Sequence, residues 1–125
     1  MTTELKDGKL AVYAKNRTEW RTWLTENGQL EKSVWLILYH KKSKVESISL
    51  IEATEEALCF GWIDSLCKKR DLESYYLTYS PRKSKSKWSK INKDRVENLI
   101  EQGIMTQAGH NAIKTAKENG KWDEN

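Results

Sequence analysis

The densest chemistry in the chain lies between Pro81 and Arg95, where seven basic side chains (Arg82, Lys83, Lys85, Lys87, Lys90, Lys93 and Arg95) stand against one acid, Asp94. In Pro81-Arg-Lys-Ser-Lys-Ser-Lys-Trp-Ser-Lys-Ile-Asn92 the cations interleave with hydroxyls and one tryptophan, and a helical pattern starts directly afterwards. Ser89 or Asn92 is placed to cap that helix, whose first N–H groups and partial positive charge suit an anion. Arg82, Ser86, Ser89 and Lys90 could surround a phosphate there, with Trp88 stacking on a base or nucleotide. The competing reading makes Trp88 a core anchor and the lysines a solvated face. The chain's net charge of +4 is too mild to choose a partner by itself.

Asp64 is the second residue of interest. It follows Trp62-Ile63 just past a helix end, inside a β-favouring run, where a carboxylate that loses water needs compensation. It is either half of a structural ion pair with Arg82, Arg70 or a lysine, or a ligand-orienting or acid/base group beside the basic segment. Other chemistry finds no foothold. His40, His110, Cys59 and Cys67 lack the short-spaced pairing of a zinc site, so no metal and no cofactor is expected. No G-x-S-x-G elbow and no glycine-rich phosphate loop occurs, and catalytic residues are not assigned.

These residues must be held by a frame, and the hydrophobic periodicity outlines one. Leu10 to Ala14 suggests a short edge strand. Asn16-Arg-Thr-Glu19 reads as a capping box, followed by Trp20, Trp23 and Leu24 on one helical face and Gly28 as the stop. Val34 to Tyr39 is a continuous run suited to a central strand buried on both faces. Ser49 opens a second helix with Leu50, Ala53, Ala57 and Leu58 inward, Ile48 stapling its entry and Gly61 ending it. Trp62 to Arg70 and Tyr75 to Ser80 form a hairpin across Asp71-Leu-Glu-Ser74, bounded by Pro81. Val96, Leu99 and Ile100 mark a third helix closing at Gly103. Thr106 caps a fourth, with Ile113 and Ala116 inward and Gly120 as its end. The expected fold is a single α+β domain over residues 1–125, ordered β-α-β-α-β-β-α-α, with about four mostly antiparallel strands and helices packed on them. At 125 residues the chain is long enough for one core. The first residues lack the apolar stretch of a signal peptide, the longest apolar run is far too short to span a bilayer, and a cytoplasmic protein with reduced cysteines is expected.

Three blocks carry a family resemblance. Glu56-Ala-Leu-Cys-Phe-Gly-Trp-Ile-Asp-Ser65, Pro81-Arg-Lys-Ser-Lys-Ser-Lys-Trp-Ser89 with Asn92 and Arg95, and Gly103-Ile-Met-Thr-Gln-Ala-Gly109 with Gly120-Lys-Trp122 resemble the YdeI/OmpD-associated proteins, also called bacteriocin-protection proteins. The resemblance implies a YjbR/CyaY-like α+β fold and a link to stress or antimicrobial-peptide resistance, with no reaction attached. It selects Trp62, Asp64, Arg82, Trp88, Ser89, Asn92 and Arg95, to which the local reading adds Ser86, as a ligand pocket or a structural hub. The leading expectation is a binding protein that recognises an anion at the Arg82–Arg95 corner. A small-ligand enzyme or sensor around Asp64, a nucleic-acid-binding protein, and an adaptor using exposed tryptophans are the alternatives.

Overall fold

Each helix starts at a residue whose side chain accepts from the backbone N–H three positions on. Asn16 accepts from Glu19, Ser49 from Glu52, Ser89 from Asn92 and Thr106 from Gly109. These caps satisfy donors that the first turn leaves orphaned. At Ser49 the box is reciprocal, with Glu52 Oε1 accepting from the Ser49 N–H at 3.1 Å. At Asn16 the Glu19 carboxylate reaches one residue further back, to the Lys15 N–H at 2.9 Å.

The computed structural model describes residues 2–124. Along these run β1 (Thr3–Lys6), β2 (Lys9–Tyr13), α1 (Arg17–Asn27), β3 (Val34–Tyr39), α2 (Leu50–Cys59), β4 (Trp62–Lys69), β5 (Ser74–Pro81), α3 (Lys90–Glu101) and α4 (Gln107–Glu118). The five strands form one mixed sheet in the order β1-β2-β3-β5-β4. β2 and β3 are parallel and linked through α1, while the remaining pairings are antiparallel. No helix among the described residues is long and apolar enough to cross a membrane.

The α+β class, the helix order and the central β3 agree with the sequence reading, and the sheet differs from it in one respect. There are five strands rather than four, and the Leu10–Ala14 segment is not an edge, because β1 pairs outside it. The β1–β2 hairpin turns on Asp7-Gly8, both at positive φ (53° and 76°). Asp-Gly is the dipeptide that a type I′ hairpin prefers.

Alternation along the strands gives the sheet two apolar faces. Val12, Val34, Leu36, Leu38, Leu77 and Tyr79 belong to the main core with Trp20, Leu24, Ala57, Leu58, Val96, Leu99 and Ile113 of the helices. Ala11, Trp35, Ile37 and Tyr76 make a second, smaller core, with Tyr13 and Tyr39 at its margin. No helix residue among the described residues belongs to this second core. Side chains from the two edges of the sheet bridge it instead, Arg70 pairing with Glu4 at 2.8 Å and Lys68 with Asp7 at 3.2 Å, which requires the sheet to curl. Flat strands in these positions would lie about 19 Å apart, four spacings of about 4.8 Å. Lys9 lies over the Trp35 ring at 4.4 Å and completes the cover.

Glu4 is the hinge pin of that closure, accepting from Arg70 and from the Tyr76 hydroxyl. Arg70 first and Tyr76 second hold its carboxyl below the usual carboxylate range. A folded-state value lowered in this way adds stability above the unfolded-chain value, and that stability is lost as the pH falls through the folded one. Glu4→Gln is therefore expected to cost about 1 kcal/mol at pH 7, the modest figure appropriate to a third-exposed pair. Urea denaturation of both proteins should show that difference shrinking once the pH drops below about 4. A deficit that stays constant with pH would contradict the charge-based account.

Candidate functional site

The corner where β5 ends is built around Arg82. Its backbone N–H donates to Gly61 O at 2.8 Å, tying the start of the loop to the turn between α2 and β4. The chain then folds back through a turn closed by Ser86 N to Lys83 O at 3.0 Å, which carries Trp88 underneath the arginine. The guanidinium carbon lies 3.8 Å from the Trp88 ring centroid, a cation–π stack. Trp88 is 2 % exposed, and Trp122 packs against it at 5.1 Å between centroids. Two polar ties fasten the loop to the C-terminal segment: Asn119 Nδ2 donates to Ser84 O at 2.7 Å, and Lys87 pairs with Glu124 at 3.2 Å.

Beside this corner a cleft of about 410 Å³ opens between the loop, α4 and the α1–β3 connection. Ala108, Asn111, Ala112, Thr115 and Ala116, spaced as one face of α4, form its wall. Phe60, Gly61, Trp62 and Pro81 form its floor, and Gln29, Glu31, Arg82, Lys83 and Trp88 its other sides. Gly61 sits at φ +74° where a Cβ would come within 3.0 Å of Ala108 O and 3.2 Å of Ala112 Cβ, so α4 approaches closely only over glycine.

Arg82 is incompletely partnered. Its Nη1 donates to Lys87 O at 3.1 Å, but Nε and Nη2 are closed off from solvent with no hydrogen-bond partner, and the same holds for Trp88 Nε1. Burial pushes the guanidinium pKa down to about 10, with Asp64 offsetting part of that at longer range. Arg82 therefore stays charged at neutral pH. Nε and Nη2 share one edge of the guanidinium plane. That edge is the fork which binds a carboxylate or phosphate through two parallel N–H···O bonds.

The structure brings Trp62, Arg82 and Trp88 to this cleft and leaves the other sequence candidates outside it. Ser89 caps α3, accepting from the Asn92 N–H at 3.1 Å, and Asn92 Oδ1 accepts from Arg95 Nη1 at 2.9 Å. Those three groups serve the first turn of the helix. Ser86 lies in the loop turn. Asp64 stands opposite Tyr79 in the β4–β5 ladder, before a bulge that ends at Cys67. Burial raises the Tyr79 phenol far above its ordinary value, and Asp64 adds to that effect. Trp88 offers no stacking face for a base, since Arg82 occupies one side and Trp122 packs alongside it. The Trp62 indole N–H is spent on Gly28 O at 3.2 Å.

Sequence reasoning missed the α4 wall and the α1–β3 contribution. One signal was available: Ala108, Ala112 and Ala116 repeat every fourth residue, with Gly109 among them, which marks a face built for close approach.

The chain belongs to a family described as a domain of unknown function, DUF8412, whose family model matches residues 12–112. The matched stretch contains the loop, the floor and the first half of the α4 wall, and stops short of the C-terminal segment that fastens the loop. No curated protein and no solved structure matches the chain.

Proposed function

We propose that this member of the DUF8412 family is a binding protein that takes an anionic ligand in the cleft, with Arg82 as the charged anchor. The observation that carries the reading is the Nε/Nη2 edge of Arg82, desolvated and without an acceptor in a residue that lines the cleft beside the basic loop. A buried guanidinium whose donors lack partners costs free energy. An anionic oxygen pair would remove that cost and supply charge-assisted bonds that strengthen in a low-dielectric site. Because the edge is closed off, the ligand reaches it by displacing part of the wall. The loop from Lys83 to Lys87 is the part that would move, since its ties to the C-terminal segment are the Asn119–Ser84 hydrogen bond and the exposed Lys87–Glu124 pair.

The partner is a small anion rather than a nucleic acid, since neither Trp62 nor Trp88 presents a ring to stack on. The blocks that resemble the YdeI/OmpD-associated proteins contribute Trp62, Arg82 and Trp88 to the cleft. That supports extending the proposal to a role in tolerance of antimicrobial peptides, exerted through the bound ligand.

Thermal unfolding in acetate or phosphate against sodium chloride of equal ionic strength tests the reading. A ligand at ten times its Kd stabilises by about 1.4 kcal/mol, roughly 5 °C for a chain of this size. The expected result is such a shift in the wild type and none in Arg82→Met. Equal shifts in both proteins, or no shift in either, would overturn the assignment.

A further inference from the structure

We infer that the ligand is an elongated carboxylate, its acid group on the Arg82 fork and an apolar or amide-bearing body lying along α4. This rests on the anion reading above and narrows it by the shape and chemistry of the cleft away from the arginine.

The first argument is size. A cleft of about 410 Å³ is several times larger than a single carboxylate or phosphate, so an inorganic ion would leave most of it to water. A second depression, about 470 Å³, continues the same trough and shares Gln29, Phe60, Ala108 and Asn111 with the first. The space is therefore long rather than round, and it runs parallel to α4 from Arg82 past Phe60 towards Gln107.

The second argument is charge. Arg82 lines the first cleft without a carboxylate partner, and Arg21 in the second depression is neutralised by Glu56 at 2.9 Å. Lys83 is an exposed rim residue, and Glu31 stands in the lining of the first cleft. A doubly charged phosphate needs more neutralisation than one guanidinium supplies and would share the cleft with the acid of Glu31. A carboxylate carries the single charge that a bidentate fork matches.

The third argument is the surface on which the body would rest. Phe60 and Gly61 of the floor and Ala108 and Ala112 of the wall give an apolar surface of small relief, while the exposed carboxamides of Gln29 and Asn111 border it. Such a trough suits methylene groups below and amide groups at the edge. An acyl chain and the end of a short peptide share this chemistry, and they differ in what the rim amides would contact.

The test is a titration of the whole chain followed by chemical-shift changes of backbone amides and of the Arg82 side-chain Nε–H. The probes are acetate, hexanoate, hexanamide, an N-acetylated tripeptide of alanine as free acid and as C-terminal amide, and inorganic phosphate. Each buried methylene is worth up to about fourfold in affinity. Hexanoate or the tripeptide acid is therefore expected to bind at least tenfold more tightly than acetate, with Ala108 and Ala112 amides shifting along with Arg82. The two amides should bind at least tenfold more weakly than their acids. A preference for hexanoate identifies an acyl body and a preference for the tripeptide a peptide body. Ala112→Leu should abolish the tenfold advantage of the long acid over acetate, and Thr115→Leu serves if that variant does not fold. Acetate, hexanoate and phosphate binding equally at Arg82 would overturn the elongated-carboxylate inference and leave the anion reading standing. Absence of any anion-dependent shift at Arg82 would overturn both.

Discussion

Gly109→Ala is expected to lower the melting temperature by about 10 °C, although the substitution places a better helix former inside a helix. In an open helix the change would add up to about 1 kcal/mol of stability. Gly109 is not in an open helix. It lies in the first turn of α4, where that helix meets the end of α2, and the junction is built on one carbonyl. Cys59 O accepts from the Thr106 N–H at 3.0 Å and also from the Thr106 hydroxyl. The same hydroxyl accepts from the Gly109 N–H at 3.4 Å, so Thr106 caps α4 while it closes α2. A Cβ on Gly109 would stand 2.4 Å from Cys59 O and 2.2 Å from Met105 Sδ. The methionine can rotate away, but the backbone carbonyl cannot move without breaking the joint. Overpacking of this kind costs typically about 1–3 kcal/mol, and here the backbone contact puts it at the upper end. For a chain of this size 3 kcal/mol corresponds to about 10 °C. The sign alone decides the matter, since calorimetry showing a raised or unchanged melting temperature would mean that the α2–α4 contact is looser than described. The same displacement would shift Ala108 and Ala112, and anion binding in the cleft should weaken with it.

The helices and the central strand were legible because each carries a local signal. Asn16, Ser49 and Thr106 announce their caps, and Val34 to Tyr39 has no polar residue to break its burial. β1 was less legible. Thr3–Lys6 alternates polar side chains around an exposed Leu5, and its inward residues are Glu4 and Lys6, neither of which satisfies a hydrophobic pattern. What places it there is a pairing with Arg70, far away in sequence, and local patterns are blind to that. The site divides in the same way. The basic loop stood out in composition, yet its helix-cap residues Ser89 and Asn92 turned out to serve the helix itself. Lys85 and Lys90 are exposed on its surface. The wall of small residues on α4 has no charge or motif to advertise it, and its meaning comes from a floor formed more than forty residues earlier by Phe60, Gly61 and Trp62.

Arg82→Met separates a binding site from a structural hub, because the two accounts predict opposite signs for stability. Methionine keeps an unbranched apolar stem against Trp88 and removes a buried charge with two donors that have no acceptor. The losses are the cation–π contact and one hydrogen bond to Lys87 O. A desolvated cation–π contact contributes up to about 2 kcal/mol, and a hydrogen bond from a charged group about 1.5–3. Against them stands the desolvation of the guanidinium, several kcal/mol for an ion taken fully from water and less for this partly covered one. Replacing incompletely satisfied buried ions by apolar side chains of similar volume is often neutral or stabilising by about 1–4 kcal/mol. The expected result is a melting temperature about 4 °C higher, roughly 1 kcal/mol, together with loss of anion-dependent stabilisation. Such a pairing is the mark of a residue kept for binding at a cost to the fold. If Arg82→Met instead unfolds several degrees earlier, the guanidinium holds the loop in place and the anion reading loses its main support. Arg82→Lys sharpens the comparison, since it retains the charge but not the planar fork. Under the binding account it should recover little of the affinity, as a point charge cannot make two parallel bonds to one carboxylate.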